Sequence, residues 1–303
     1  MSLAATNAER NTLLGIGLML LAMLMFSLND ALGKWLVATY SVGQILLLRS
    51  VASLVVMAPF VARSGTKPFR DAPQPRLQAL RVLLSTLEIA CFYAAVAYMP
   101  LADAMTFYLA SPVYVTAFSA LFLGEKVGAF RWTAVLIGFV GVLIALKPTG
   151  DSLSLASGIA VIGSIFYAFL MIVIRHLRET SQVVLATTHA GGALIFGAVL
   201  APLNWVAVSL PDLPLLALLG IVSIAAIMMV NQSLRLAAAS VVAPYQYTLI
   251  VWAILLGYML FGDVPQWNTL VGAAIIVASG LVIFLREQRV PAHKDEPPAL
   301  AER

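Results

Sequence analysis

A few ionisable side chains interrupt long apolar segments of this chain, where they could bind a polar ligand or carry a proton. Glu88 lies near the middle of one segment, and Arg49 lies about two helical turns, or about 10 Å, inside another. Charged groups are costly in an apolar medium, so they usually face a cavity or a partner. Glu88 is therefore a proton site or an anchor for a substrate ammonium, or else a neutral carboxyl bonded to a neighbouring helix. Arg49 is expected to hold a carboxylate, either that of a substrate or that of Glu88, unless its side chain extends to the surface.

Four other ionisable residues have simpler interpretations. His189 lies at a depth corresponding to that of Arg49 in a later segment, and a lone histidine there is more often a hydrogen-bonded packing residue than a ligand. Asp30 precedes Lys34 by four residues, which favours a solvated ion pair at a helix end over a role in coupling. Asp103 begins an apolar segment, where a carboxylate suits the positive end of the helix dipole.

Prolines, amides and aromatic residues suggest a binding pocket. Pro112 and Pro244 lack an N–H group, so each frees a backbone carbonyl that can hold an ammonium. The residues after Pro244 combine rings and hydrogen-bonding groups, although the same residues could equally pack between helices. This chemistry suits amphipathic, zwitterionic substrates, including aromatic amino acids. The predicted substrate-binding residues are Gln246, Tyr245, Trp252, Tyr108, Ser111, Glu88, Arg49 and Asn231.

Motifs that would indicate an enzyme are absent from the sequence. It contains no HExxH, no GxSxG, no paired aspartate motif and no Walker A loop, so neither hydrolysis nor ATP-driven pumping is indicated. The single cysteine, Cys91, excludes a disulfide or a CxxC pair within one chain. We therefore expect no catalytic residue, no cofactor and no metal site.

The composition indicates a membrane protein. Hydrophobic residues make up 61% and charged residues 11%, against roughly half and a quarter in soluble domains. The net charge of +4 does not indicate nucleic-acid binding, because the basic residues are scattered over helix ends rather than clustered. The lipid bilayer is the expected partner, with a small-molecule substrate, while the oligomeric state is open.

Ten apolar segments predict an all-α integral membrane protein with ten transmembrane helices. The polar, proline-containing tail at 287–303 is predicted to be disordered. The helices are expected at about 12–33, 42–62, 77–99, 101–123, 130–147, 155–175, 183–208, 213–234, 239–261 and 266–286.

The two halves of the sequence resemble each other at an offset of about 140 residues. Arg49 corresponds to His189, and Gly124-Glu125 corresponds to Gly262-Asp263. Five-helix units at 12–147 and 155–286 must enter the membrane from opposite sides, because five is odd. Such inverted repeats usually enclose the substrate path between them. We expect a central cavity among the third, fourth, eighth and ninth helices.

The fourth and ninth predicted helices close with Phe122-Leu123-Gly124-Glu125 and Leu260-Phe261-Gly262-Asp263, each followed by a glycine-containing helix. With ten helices, this pattern resembles the drug/metabolite transporter superfamily and, within it, the EamA-type exporters. The resemblance implies a secondary transporter that exports aromatic and other neutral amino acids across a bacterial inner membrane by alternating access. The alternatives are transport of a nucleotide-like or flavin-type metabolite, or a channel. Asp263 stands where the family usually has Glu, and His189 breaks the symmetry with Arg49.

The distribution of basic residues predicts the orientation. With a cytoplasmic N-terminus, fifteen of the eighteen Lys and Arg residues fall on the cytoplasmic side, and only Lys34 and Lys147 fall opposite. Both termini are therefore expected in the cytoplasm.

Topology labelling tests this orientation. A reporter fused after Arg303 and cysteine labels at 68–75 should both register as cytoplasmic, whereas labels at 149–152 should react from outside. Termini on opposite sides of the membrane would contradict both the ten-helix prediction and the inverted repeat.

Overall fold

The chain forms an all-helical membrane protein. The computed structural model describes residues 3–122, 129–146, 154–177, 179–237 and 239–289. Six of its helices are long and apolar enough to cross a membrane by length and composition. The helices are α1 (Leu3–Val37), α2 (Val42–Ser64), α3 (Lys67–Arg70), α4 (Pro75–Val96), α5 (Leu101–Leu109), α6 (Ser111–Phe122), α7 (Ala129–Leu146), α8 (Leu155–His176), α9 (Gln182–Leu200), α10 (Asp212–Leu236), α11 (Ala239–Val242), α12 (Thr248–Phe261) and α13 (Trp267–Arg289).

Prolines interrupt the fourth and ninth predicted helices. The fourth helix divides at Ala110 into α5 and α6, two residues before Pro112. The ninth divides into α11, a 3-10 segment at Ala243–Tyr247 that contains Pro244, and α12. Proline has no N–H to donate to the preceding turn, so the α-helical pattern breaks near it. The breaks thus occur in corresponding helices of the two repeats.

Several helix boundaries differ from prediction, and α1 begins at Leu3 rather than at about 12. α1 continues past Lys34 to Val37, because the Lys34 ammonium finds a partner in Asp263 and no longer marks a solvated helix end. α9 ends at Leu200 rather than at about 208, since a 3-10 segment at Ala201–Asn204 contains Pro202. α13 extends to Arg289, and the rest of the tail predicted at 287–303 lies outside the described residues.

The principal helix contacts join one repeat to the other. α1 packs along α10, and the equivalent pair α8 and α4 packs in the same way. α2 pairs with its own counterpart α9, and α7 pairs with its counterpart α13. This pattern is expected from a pseudo-two-fold axis between the halves. Large apolar side chains on the outer faces, such as Val55, Leu136, Ile195 and Val251, are exposed in the isolated chain, as lipid-facing residues are.

Glycines allow two helices to cross their counterparts in the other repeat closely, α2 with α9 and α7 with α13. A Cβ atom at Gly197 of α9 would lie 2.8 Å from the Gly43 carbonyl oxygen and from the Leu47 Cα of α2. A Cβ atom at Gly272 of α13 would lie 2.7 Å from the Gly141 carbonyl oxygen of α7. Since backbone atoms cannot move aside cheaply, both crossings depend on small residues.

Substitution of Gly197 tests the α2–α9 crossing. Gly197→Ala should destabilise the purified protein by about 1–3 kcal/mol, because the added methyl group overpacks a backbone contact. Gly191→Ala in the same helix is the matched control, as no atom lies within 4 Å of its Cβ position. Thermal unfolding in detergent measures the difference, and equal melting temperatures for the two variants would contradict the crossing.

Candidate binding cavity

A small cavity of about 20 Å³, room for about one water molecule, lies between the two repeats. Its lining comes from α2, α4, α9 and α10, with Arg49, His189 and Ser223 among the polar contributions. We predicted a central cavity among the third, fourth, eighth and ninth helices, and that prediction stays open. This small cavity shares α4 and α10 with it, but its other walls are α2 and α9, which carry Arg49 and His189.

Arg49 is buried in this cavity wall with only 5% of its surface exposed. Its Nη1 donates a hydrogen bond of 2.6 Å to the Tyr93 hydroxyl, and its Cζ lies 5.5 Å from the centroid of the Tyr93 ring. The charges of Asp30 and Glu88 act on the same region. Within the described residues Arg49 makes no direct ion pair with Glu88, so the expected clamp on that carboxylate is not formed.

Three aromatic rings pack together near Glu88, which is half-buried. The Tyr108 hydroxyl donates to the Glu88 carbonyl oxygen at 3.1 Å. Tyr108 meets Phe92 edge-on at 5.4 Å between centroids, and Tyr167 lies 6.2 Å from Tyr108. We call Phe92, Tyr108 and Tyr167 the aromatic wall. It places flat apolar surface beside an acidic group, an arrangement that suits a ring-containing ligand with a positive centre.

Two residues near Arg49, Asp30 and Tyr93, were not selected from the sequence as site residues. Asp30 was assigned to a solvated pair with Lys34, but Lys34 pairs with Asp263, and Asp30 lies near Arg49. Tyr93 was not singled out, although it lies five residues after Glu88 on the same helix. His189 was expected mainly to pack, yet it lines the cavity with Arg49, its counterpart in the repeat. That correspondence was the signal that could have located the cavity.

The other predicted site residues lie in separate places. Tyr245 and Trp252 pack against a cluster of α1 residues that includes Met19 and Met23. Gln246 is exposed. Ser111 is buried at the start of α6, and Asn231 donates a 3.0 Å hydrogen bond to the Gln182 side chain. The structure thus groups Arg49, Glu88 and Tyr108, but it does not gather all eight residues into one pocket.

An ion pair joins the two repeats at the C-terminal end of α1. Lys34 binds Asp263, so the predicted solvated pair of Lys34 with Asp30 is wrong. Gly262 makes this contact possible, because its left-handed conformation (φ 68°) ends α12 and turns the chain. The Lys34 ammonium also lies 4.8 Å from the Phe261 ring centroid. Asp103 is close enough to interact electrostatically with both charges.

Comparison with known proteins agrees with this architecture. The EamA-like transporter family model matches residues 13–147 and 155–285. A solved crystal structure matches with a TM-score of 0.60 and 18% identity over 94% of this chain and 99% of that chain, a likeness that shows the fold alone.

Three curated relatives extend over most of the chain. It is similar to an S-adenosylmethionine uptake transporter of Rickettsia bellii, with 25% identity over 93% of this chain and 97% of the relative. It is similar to a riboflavin transporter of Vibrio cholerae, with 28% identity over 86% and 89% of the respective chains. It is also similar to a pseudopaline exporter of Pseudomonas aeruginosa, with 27% identity over 89% and 95%.

These relatives are transporters rather than enzymes, and they carry small metabolites. Two family matches cover the two repeats. In the described part of the chain, helices of one repeat pack against helices of the other, as an inverted repeat requires. The chain therefore belongs to the EamA-like transporter family of the drug/metabolite transporter superfamily, as a multi-pass secondary transporter of small metabolites.

Proposed function

We propose that this transporter carries metabolites that join a carboxylate to a nucleoside-like heteroaromatic group, with S-adenosylmethionine as the reference compound. The observation that carries the proposal is a buried guanidinium, Arg49, that lines the cavity between the repeats and has two acidic residues, Asp30 and Glu88, nearby. Arg49 would bind the substrate carboxylate, because a guanidinium can donate two parallel hydrogen bonds to it.

These three groups complement the charges of such a substrate. S-adenosylmethionine carries one carboxylate, one ammonium and one sulfonium group. Arg49 offers a positive charge to the carboxylate, and the acidic groups of Asp30 and Glu88 would face the ammonium and the sulfonium. The aromatic wall beside Glu88 supplies rings for stacking on the adenine, which contributes about 0.5–1.5 kcal/mol beyond area burial. The similarity to an S-adenosylmethionine transporter and to a riboflavin transporter supports a heteroaromatic cargo.

Export of aromatic or neutral amino acids is the second candidate. An amino acid has the same carboxylate and ammonium groups, so Arg49 and Glu88 would fit its head equally well. The cargoes named for the three relatives, however, give this reading no support. The two candidates differ in whether the nucleoside part is required for binding.

Alternating access would use the Lys34–Asp263 ion pair as the gate on one side of the cavity. The pair joins α1 of the first repeat to the segment after α12 of the second, and its side chains are only 14% and 23% exposed. The two repeats cannot separate at this end while the pair is intact. Opening therefore requires the loss of one partly buried ion pair, which rehydration of both groups would partly offset.

Substitution of Arg49 tests the proposed cargo. Uptake of labelled S-adenosylmethionine into proteoliposomes should be inhibited by the unlabelled compound more strongly than by methionine or adenosine alone. Arg49→Gln should reduce the apparent affinity by roughly ten- to a hundredfold, because a hydrogen bond to a charged group contributes about 1.5–3 kcal/mol. Decarboxylated S-adenosylmethionine lacks the carboxylate that Arg49 would bind, so it should inhibit the parent and the variant equally.

The control for this experiment is Arg63→Gln, since Arg63 is an exposed residue of the same helix. It should behave as the parent does. Transport of methionine as effective as that of S-adenosylmethionine would favour the amino acid candidate. An Arg49→Gln variant with parental affinity would show that the buried guanidinium does not bind the cargo.

Crosslinking tests the gate. In a Cys91→Ser background, Lys34→Cys with Asp263→Cys should lose transport after treatment with a short bifunctional thiol reagent, because the joined repeats cannot separate. Each single cysteine variant, treated identically, is the control and should retain transport. Undiminished transport by a protein that mass spectrometry shows to be fully crosslinked would exclude this gate.

A further inference from the structure

Tyr93 is the hydrogen-bond partner that holds Arg49. Among the described residues, the Tyr93 hydroxyl is the one side-chain acceptor within hydrogen-bond distance of the guanidinium. The Tyr93 side chain is fully buried, and Arg49 packs close to its ring. The contact therefore joins α2 to α4 at the cavity wall.

A phenol hydroxyl has a particular advantage at this position. Arginine has five N–H donors on a long, flexible side chain, so it needs a partner to keep one orientation. A carboxylate partner would hold the guanidinium but would also neutralise its charge. Tyr93 accepts one hydrogen bond while remaining neutral, which leaves the positive charge and the other donors available to a ligand. Asp30 and Glu88 remain near enough to act on that charge without a direct ion pair.

Gly33 of α1 leaves room for the Tyr93 ring, which packs directly against it. A Cβ atom at position 33 would overlap Tyr93 Cε1 and would lie 3.0 Å from Cζ. Since the ring is enclosed, a methyl group at this position must displace it and move its hydroxyl relative to Arg49. Gly17 lies on the same helix, and no atom lies within 4 Å of its Cβ position.

We infer that Tyr93, which packs against Gly33, is a positioning residue that orients Arg49 and so sets the affinity of the transporter for ligands that carry a carboxylate. This inference rests on the proposed function of Arg49 as the carboxylate-binding group. It assigns to α1 a role in substrate affinity even though Gly33 does not line the cavity.

The test compares two ligands that differ by one carboxylate. Tyr93→Phe keeps the ring and removes the hydrogen bond, so the apparent KM for S-adenosylmethionine should rise roughly tenfold with little change in maximal rate. Inhibition by decarboxylated S-adenosylmethionine should stay at the parental level. If the parent carries methionine instead, methionine and 3-(methylthio)propylamine form the equivalent pair.

Gly33→Ala provides the second variant. It should also weaken binding of the carboxylated ligand, and it should add little in the Tyr93→Phe background, because both changes act through the same hydrogen bond. Gly17→Ala is the matched control and should leave the KM unchanged. Parental KM for Tyr93→Phe, or an equal loss for both ligands, would overturn the inference and assign Tyr93 to general packing.

The outcome for Arg49→Gln separates the two proposals. If Arg49→Gln loses affinity for the carboxylated ligand while Tyr93→Phe does not, only the positioning role is wrong. If Arg49→Gln binds as the parent does, the proposed function is wrong, and the positioning role is wrong with it.

Discussion

The central constraint on this protein is a permanent positive charge in an apolar interior. Arg49 is 5% exposed, and an arginine at the centre of a transmembrane helix costs about 2.5–3.5 kcal/mol on insertion scales. Tyr93 offsets part of that cost as a neutral hydrogen-bond acceptor, and the acidic groups of Asp30 and Glu88 lie near the guanidinium. Each of these groups comes from a different helix than Arg49 does, so the bundle must assemble before the charge is stabilised.

α1 connects the cavity to the far end of the bundle. Within five residues it carries Asp30, which lies near Arg49, Gly33, which packs against Tyr93, and Lys34, which binds Asp263 of the other repeat. A small rotation or shift of α1 would therefore act on Arg49 and on the inter-repeat ion pair together. Transporters built from inverted repeats require such a link, because exposure of the site must alternate with its occupancy.

The inverted repeat explains both the symmetry of the scaffold and the asymmetry of the site. α2 and α9 are counterparts that cross at Gly43 and Gly197, and they bring Arg49 and His189 into one cavity. A symmetric pair of arginines would place two like charges there and would raise the cost of burial. Histidine in the second copy keeps the hydrogen-bonding capacity without a second permanent charge. The scaffold can thus remain duplicated while the residues that line the cavity differ between its two halves.

The amino-acid sequence by itself determined the class, the helices and the duplication, because hydropathy, proline breaks and a repeat offset are properties of the linear chain. It also selected Arg49 and Glu88, since charge within an apolar segment is visible without a fold. Only the tertiary structure decided their partners. Lys34 bonds to Asp263, 229 positions away, rather than to Asp30, and Tyr245 and Trp252 pack against α1 rather than beside Arg49. Such choices depend on how helices rotate and cross, which the packing of all the helices settles together and no local pattern encodes.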